Sequence, residues 1–477
     1  MTQIADFQTH EQTQQTYFSP AALLPSGWAN NVLFTVRNGV FASVQTDQSP
    51  LQDSVMLSGS TVPSLANVHS HAFQRIMAGA AEVSLNPNDS FWSWRDLMYK
   101  IVQKLTPDEA RIIATQLYID MLKAGYTQVG EFHYLHHAVG GKHYNDLGEM
   151  SNQLIAAAND SGIGLTLLPV LYAHSGFGGQ TPNAGQARFI NSTDSYLALH
   201  QECADALQGH SLHKLGICFH SLRAVTKPQI ETVLANLSTS APIHIHIAEQ
   251  QKEVQDCLAW SGKRPVQWLH EEVGFNERWC LVHATHLDKN ELNAIATSQA
   301  IAGLCPTTEA NLGDGIFPAV EFEQANGRWG IGSDSHVSLS IVEELRTLEY
   351  GQRLRDQKRN RLYRSANNHP EQNRVGDHLF KQALLGGNQA CDVSLGLSEG
   401  SRADFLVLDA SHPFMAASLD AGKTQEILNR WLFATNENLV KDVFVAGKQV
   451  INNFHHAEED SSRFAFTQVI KKVMYDA

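Results

Sequence analysis

Hydrophobic and polar positions divide the chain into β-like ends and a long middle that alternates between two periods. From about Trp28 to Leu57, short apolar runs at Val32 to Val36 and Gly39 to Val44 are separated by turn residues and show no helical spacing. From Ser64 onward, β-rich runs recur at helix-length intervals: Ser64 to His69, Thr127 to Phe132, Gly164 to Leu171, Leu215 to His220, Pro242 to Ala248, Trp279 to His283, Ala300 to Cys305 and Arg328 to Ser333. Between the first two, Pro107 to Ala124 sets Ile113, Leu117, Met121 and Leu122 near helical spacing behind the acidic pair Asp108 and Glu109. Eight such units predict an α/β fold, a TIM-like (β/α)8 barrel. The long first crossover predicts a lid or binding loop, with Trp92 and Trp94 as candidate lining.

After Gly396 the β character returns in Ala403 to Asp409 and in Leu439 to Val450, with Gly447 at a hairpin turn. The expected organisation is a small β-sandwich built from both ends of the chain, residues 1–61 and 396–477, flanking a barrel at 62–395. A basic run, Arg353, Arg355, Lys358, Arg359, Arg361 and Arg364, falls on a helix expected to begin near Ser340, as a solvated face or a subunit contact.

Composition narrows the function classes. The 477 residues carry 35 Lys+Arg against 49 Asp+Glu, a formal charge of −14, which argues against nucleic-acid or anionic-membrane partners. With 43% apolar and 18% charged residues, the chain can bury a large core. Six cysteines without a CxxC pair fit neither a disulfide scaffold nor a thiolate zinc site. Met1 to Gln15 lacks a signal-peptide pattern and no apolar run approaches the ~18 residues of a membrane span, so the expectation is a cytoplasmic protein. Serine-elbow, P-loop and dinucleotide motifs are absent.

The 23 histidines carry the chemistry. His69 and His71 stand at i and i+2 on the first strand, which projects both imidazoles to one face, where they can share a metal ion. On the fifth strand His244 and His246 alternate with isoleucines. His246, nearer the C-terminal end where barrel enzymes place their chemistry, is the expected ligand, and His244 reads as a hydrogen-bonded core histidine. Glu249 follows just past that strand, where a proton shuttle is useful. His283 ends the sixth strand and Asp334 the eighth. Mixed nitrogen and oxygen ligation suits Zn²⁺ first, with Fe²⁺ or Mn²⁺ as alternatives.

The segments Leu65 to Arg75 (LANVHSHAFQR), His246 to Gln250 (HIAEQ), Cys305 to Asp314 (CPTTEANLGD), Gly332 to His336 (GSDSH), Glu343 to Arg353 and Ala403 to Asp409 resemble the amidohydrolase superfamily and, within it, the formimidoylglutamate deiminase family. The resemblance spans nearly the whole chain. It implies a metal-dependent hydrolase barrel holding one divalent ion through His69, His71, His246 and Asp334, with Glu249, His283 and Asp334 as catalytic groups. It also implicates Gln74, Arg95, Tyr134, His220 and Arg223 in binding a dicarboxylate, which a guanidinium grips through paired hydrogen bonds. The implied reaction is hydrolytic deimination of N-formimino-L-glutamate to N-formyl-L-glutamate and ammonia in histidine degradation, by a homodimer. The alternatives are a deaminase of a purine or related ring and a non-catalytic barrel scaffold.

Overall fold

The second and third strands of the middle region are buried along their whole length, the condition of parallel strands covered on both faces. The computed structural model describes residues 14–83, 91–363 and 373–475, with the side chains of 91–93 outside the description. The barrel strands run Leu65–Ser70, Tyr126–His133, Gly164–Leu171, Ile217–Ser221, Ile243–Ile247, Trp279–His283, Ile301–Leu304 and Arg328–Ile331. Each pairs in parallel with the next in chain order. A parallel bridge between Ser70 and Asp334 joins the eighth strand to the first. Helices between the strands cover the outside, and one large apolar core fills the space between the two layers.

The first crossover carries two helices. Phe91–Val102 lies over the barrel mouth, and Pro107–Ala124 returns the chain. The latter spans the range expected from its apolar spacing, opened by a Thr106/Glu109 capping box and closed by Gly125 in the left-handed region. The Trp92 side chain lies outside the described residues, whereas Trp94 lines the cleft described below.

Strands from both ends of the chain form one mixed sheet of nine strands among the described residues. Its central order places Phe405–Leu408 beside Thr61–Pro63, then Gln14–Leu24, then Gly27–Arg37. In a flat sheet Phe405 and Phe34 would lie about 14 Å apart, three strand spacings. Their rings are 6.3 Å apart. The sheet therefore curls, and its edge residue Val40 bridges to Arg402 around a core that includes Tyr17, Phe34, Phe41, Phe405 and Phe444. Gln14–Leu24 is a strand the periodicity did not predict, because Pro20 interrupts it. Pro20 falls opposite Asn31, whose φ of +51° marks an irregularity where the ladder skips the missing amide.

The basic run is only partly helical. The helix Ile341–Asp356 starts at an N-cap formed by Ser340 and carries Arg353 and Arg355, but Gln357 turns left-handed and leaves Lys358, Arg359 and Arg361 beyond its end. Arg353 pairs with Glu349, Arg355 with Glu321 and Arg361 with Asp356. Arg364 lies outside the described residues. No helix among the described residues is long and apolar enough to cross a membrane.

Candidate active site

The period of two along Ile243–Ile247 decides which imidazoles meet. His244 and His246 point into the barrel at different depths. His244 donates from Nε2 to the Ala390 carbonyl at 2.8 Å in the lower layer, whereas His246 reaches the mouth. Opposite it, His69 and His71 close the first strand. The eighth strand is held against them by hydrogen bonds from the Ser333 and Asp334 amides to the His69 carbonyl, at 3.2 and 3.0 Å, and from the His71 amide to the Asp334 carbonyl at 3.4 Å. A Cβ at Gly332 would stand 2.8 Å from the His69 backbone nitrogen, so the approach requires glycine there.

These contacts gather four ligand-type side chains. His69 Nε2 lies 3.0 Å from His246 Nε2, and both His69 Nε2 and His71 Nε2 lie 3.4 Å from Asp334 Oδ1. Ligands set tetrahedrally about 2.1 Å from a zinc ion stand roughly 3.4 Å from one another. The tautomers agree. A carbonyl only accepts, so His71 Nδ1 must carry the proton it donates to Phe132 O at 2.8 Å, and His246 Nδ1 the one it donates to His220 O at 3.0 Å. Both Nε2 lone pairs are thereby turned toward the shared centre. Burial lowers the pKa of His246, His71 and His69, the last down to about 3, keeping the rings neutral as ligands must be. Burial works against the Asp334 carboxylate, but His69, His283 and His71 outweigh it and hold it below the usual carboxylate range. Three neutral nitrogens and one carboxylate, buried and facing one point, fit a divalent cation of the zinc type.

Beside this set, His283 Nε2 lies 3.8 Å from Asp334 Oδ2 and 3.9 Å from Glu249 Oε1. Burial pushes Glu249 up to about 7, with His283 and Arg223 opposing and Asp334 adding to the rise. His283 is lifted to about 10, because Glu249, Glu309 and Asp334 overcome its burial. Ala248, His283, Ala284, Asp334 and His336 all take left-handed φ values between +44° and +69°. Such strain gathers where strand ends are bent to aim side chains.

Every catalytic and substrate-binding residue predicted from the sequence lines one cleft, as do the predicted metal ligands except His69. His71, His246, Glu249, His283 and Asp334 line its floor, and His69 lies fully buried beneath. Gln74 donates to the Tyr134 hydroxyl at 2.9 Å on one wall, His220 packs its ring 4.2 Å from that of Tyr172, and Arg223 and Arg95 line the same cleft. Arg95 lies on the helix Phe91–Val102 with its guanidinium 5.5 Å from the centre of the Tyr99 ring. Sequence reasoning assigned no role to Tyr99, Tyr172, Glu131 or Glu309. Glu131 accepts from Ser70 Oγ at 2.5 Å and from the Ala72 amide at 2.6 Å, so it braces the turn carrying His71. Its signal in the sequence is a carboxylate one residue before the end of the β-like run Thr127 to Phe132.

Known proteins place this geometry. The sequence profile of the Amidohydrolase family matches residues 61–450, and that of the N-terminal domain of formimidoylglutamate deiminase HutF matches 14–53. A formimidoylglutamate deiminase of Pseudomonas aeruginosa is 55% identical over 96% of this chain and 99% of its own length. A crystal structure of an amidohydrolase from Brucella melitensis superposes with a TM-score of 0.90 at 46% identity, covering 96% of this chain and 100% of that one. The fold extends to an adenosine deaminase from Xanthomonas campestris with bound zinc, TM-score 0.79 at 19% identity over 96% and 98% of the two chains. The chain belongs to the amidohydrolase family and groups within it with the formimidoylglutamate deiminases.

Proposed function

We propose that this protein hydrolyses N-formimino-L-glutamate to N-formyl-L-glutamate and ammonia, with one divalent cation, zinc first, held by His69, His71, His246 and Asp334. The observation that carries the reading is the 55% identity, over nearly the full length of both chains, to a formimidoylglutamate deiminase. The chemistry such an ion supplies when bound is a water acidified to a pKa of about 7. The chain does the rest. Arg223 and Arg95 bind the two carboxylates of the substrate, and Gln74, Tyr134 and His220 orient the formimino group against the floor. Asp334, its carboxylate kept ionised, takes a proton from the attacking water. His283 holds the incoming oxygen. Glu249, raised to about 7, passes a proton to the departing nitrogen. A C–O bond forms at the formimino carbon, the bond to the terminal nitrogen breaks, and that nitrogen leaves as ammonia.

The second reading is a ring deaminase, favoured by 25% identity to a 5-methylthioadenosine/S-adenosylhomocysteine deaminase of Natronomonas pharaonis. Two arginines at one cleft suit a flexible dianion better than a neutral heterocycle. Ammonia release from N-formimino-L-glutamate, guanine and 5′-methylthioadenosine, on protein of measured metal content, separates the two. Turnover confined to the linear amidine supports the proposal, and preference for a ring overturns it. The six unpaired, buried cysteines support a cytoplasmic setting. The resemblance supports a homodimer, which a sedimentation measurement checks.

A further inference from the structure

We infer that Glu309 is a positioning residue for His283, acting through the imidazole Nδ1. This rests on the reading above that His283 takes part in turnover. Glu309 Oε1 lies 3.3 Å from His283 Nδ1, and this is the one hydrogen bond to that ring among the described residues. Two further carboxylates beside the ring, Glu249 Oε1 at 3.9 Å and Asp334 Oδ2 at 3.8 Å, are beyond hydrogen-bond reach. His283 itself has a φ of +69° and is followed by Ala284 at +49°, so regular strand geometry does not aim its side chain. Something outside the strand must do so.

Glu309 is built for that task. It sits in the helix Pro306–Leu312 that follows the seventh strand, and the same Oε1 accepts the Cys305 amide proton at 2.9 Å. The carboxylate is therefore pinned to the end of the seventh strand while it receives the proton of a histidine at the end of the sixth. It is buried, as is His283. A carboxylate accepting from Nδ1–H fixes the tautomer and the ring orientation, with Nε2 turned to the cleft. Glu309 does not line the cleft, so its effect on the reaction passes through His283.

A double-mutant cycle tests this. Glu309→Gln keeps an acceptor for Cys305 and removes the charge; His283→Asn removes the ring. With metal content and melting temperature measured for each protein, Glu309→Gln should lower kcat about 10–100-fold, the range for residues that orient a functional imidazole, and leave KM within about threefold. In the His283→Asn background the same change should alter kcat less than about twofold. An equal loss in both backgrounds, or undiminished kcat in Glu309→Gln, overturns the inference. Should Glu309→Gln fold poorly, Glu309→Asp, which withdraws the charge by one methylene, runs the same cycle with an intermediate loss expected. The cycle is run on N-formimino-L-glutamate and 5′-methylthioadenosine. A wrong substrate reading appears as turnover of the ring, and the role of Glu309 is then read on that substrate.

Discussion

Replacing Glu249 with glutamine removes one titratable proton while nearly preserving the shape of the cleft floor. The side chain is 5% exposed, and His283 Nε2 stands 3.9 Å from its carboxylate. The backbone amide donates to Glu253 Oε2 at 3.2 Å, a bond the substitution leaves alone. Burial already disfavours the charged carboxylate, so a neutral amide costs the fold about 1 kcal/mol or less. None of the four proposed ligands changes. The loss should therefore fall on turnover: positioned acid/base groups contribute ~10²–10⁴-fold, about 3–5 kcal/mol of barrier at 1.36 kcal/mol per decade. KM should move little, because the proposed partners of the substrate carboxylates are Arg223 and Arg95 rather than Glu249. The assay is steady-state ammonia release by wild type and Glu249→Gln at equal measured metal content. A variant that keeps its metal and turns over within about tenfold of wild type would refute the proton-carrier role.

Arg223→Met should raise KM about 10–100-fold with a smaller change in kcat, the worth of a lost charge-assisted bond of roughly 1.5–3 kcal/mol; an unchanged KM would remove Arg223 from carboxylate binding. Dialysis against a chelator should abolish turnover and lower the melting temperature, and adding Zn²⁺ should restore both; chelated protein with full activity contradicts the ligand set. His200 is buried against the Gly216 carbonyl, and burial lowers its pKa from 6.5 to about 4. Below pH 6.5 the unfolded chain binds a proton that the folded chain refuses, so stability is lost as pH falls from 6.5 toward 4, by about 3 kcal/mol in all. His200→Gln should gain on wild type by that amount between pH 7 and 4 in urea titrations, and parallel curves would refute it.

The barrel and its metal floor were legible because both follow local periods. Alternation at Ile243–Ile247 puts His244 and His246 on one side, and the places of His283 at the end of its strand and of Asp334 just past the eighth follow from where apolar runs stop. The curl of the terminal sheet was not legible, since it depends on the contact between Val40 and Arg402, far apart in sequence. The strand at Gln14–Leu24 was hidden by Pro20. Glu309 escaped for a related reason. A carboxylate three residues into a short helix reads as a first-turn acid, and its pairing with His283 depends on the seventh strand delivering that helix beside the sixth. The first crossover reads as a loop, whereas Arg95 within it stands on the helix Phe91–Val102.

The convergence of four distant side chains on one ion is best tested by metal K-edge X-ray absorption of the purified protein, with turnover measured on the same sample. The account predicts one equivalent of transition metal in a shell of about three imidazole nitrogens plus oxygen at about 2.0–2.2 Å. A sulfur shell, or full turnover by protein without bound metal, would contradict it.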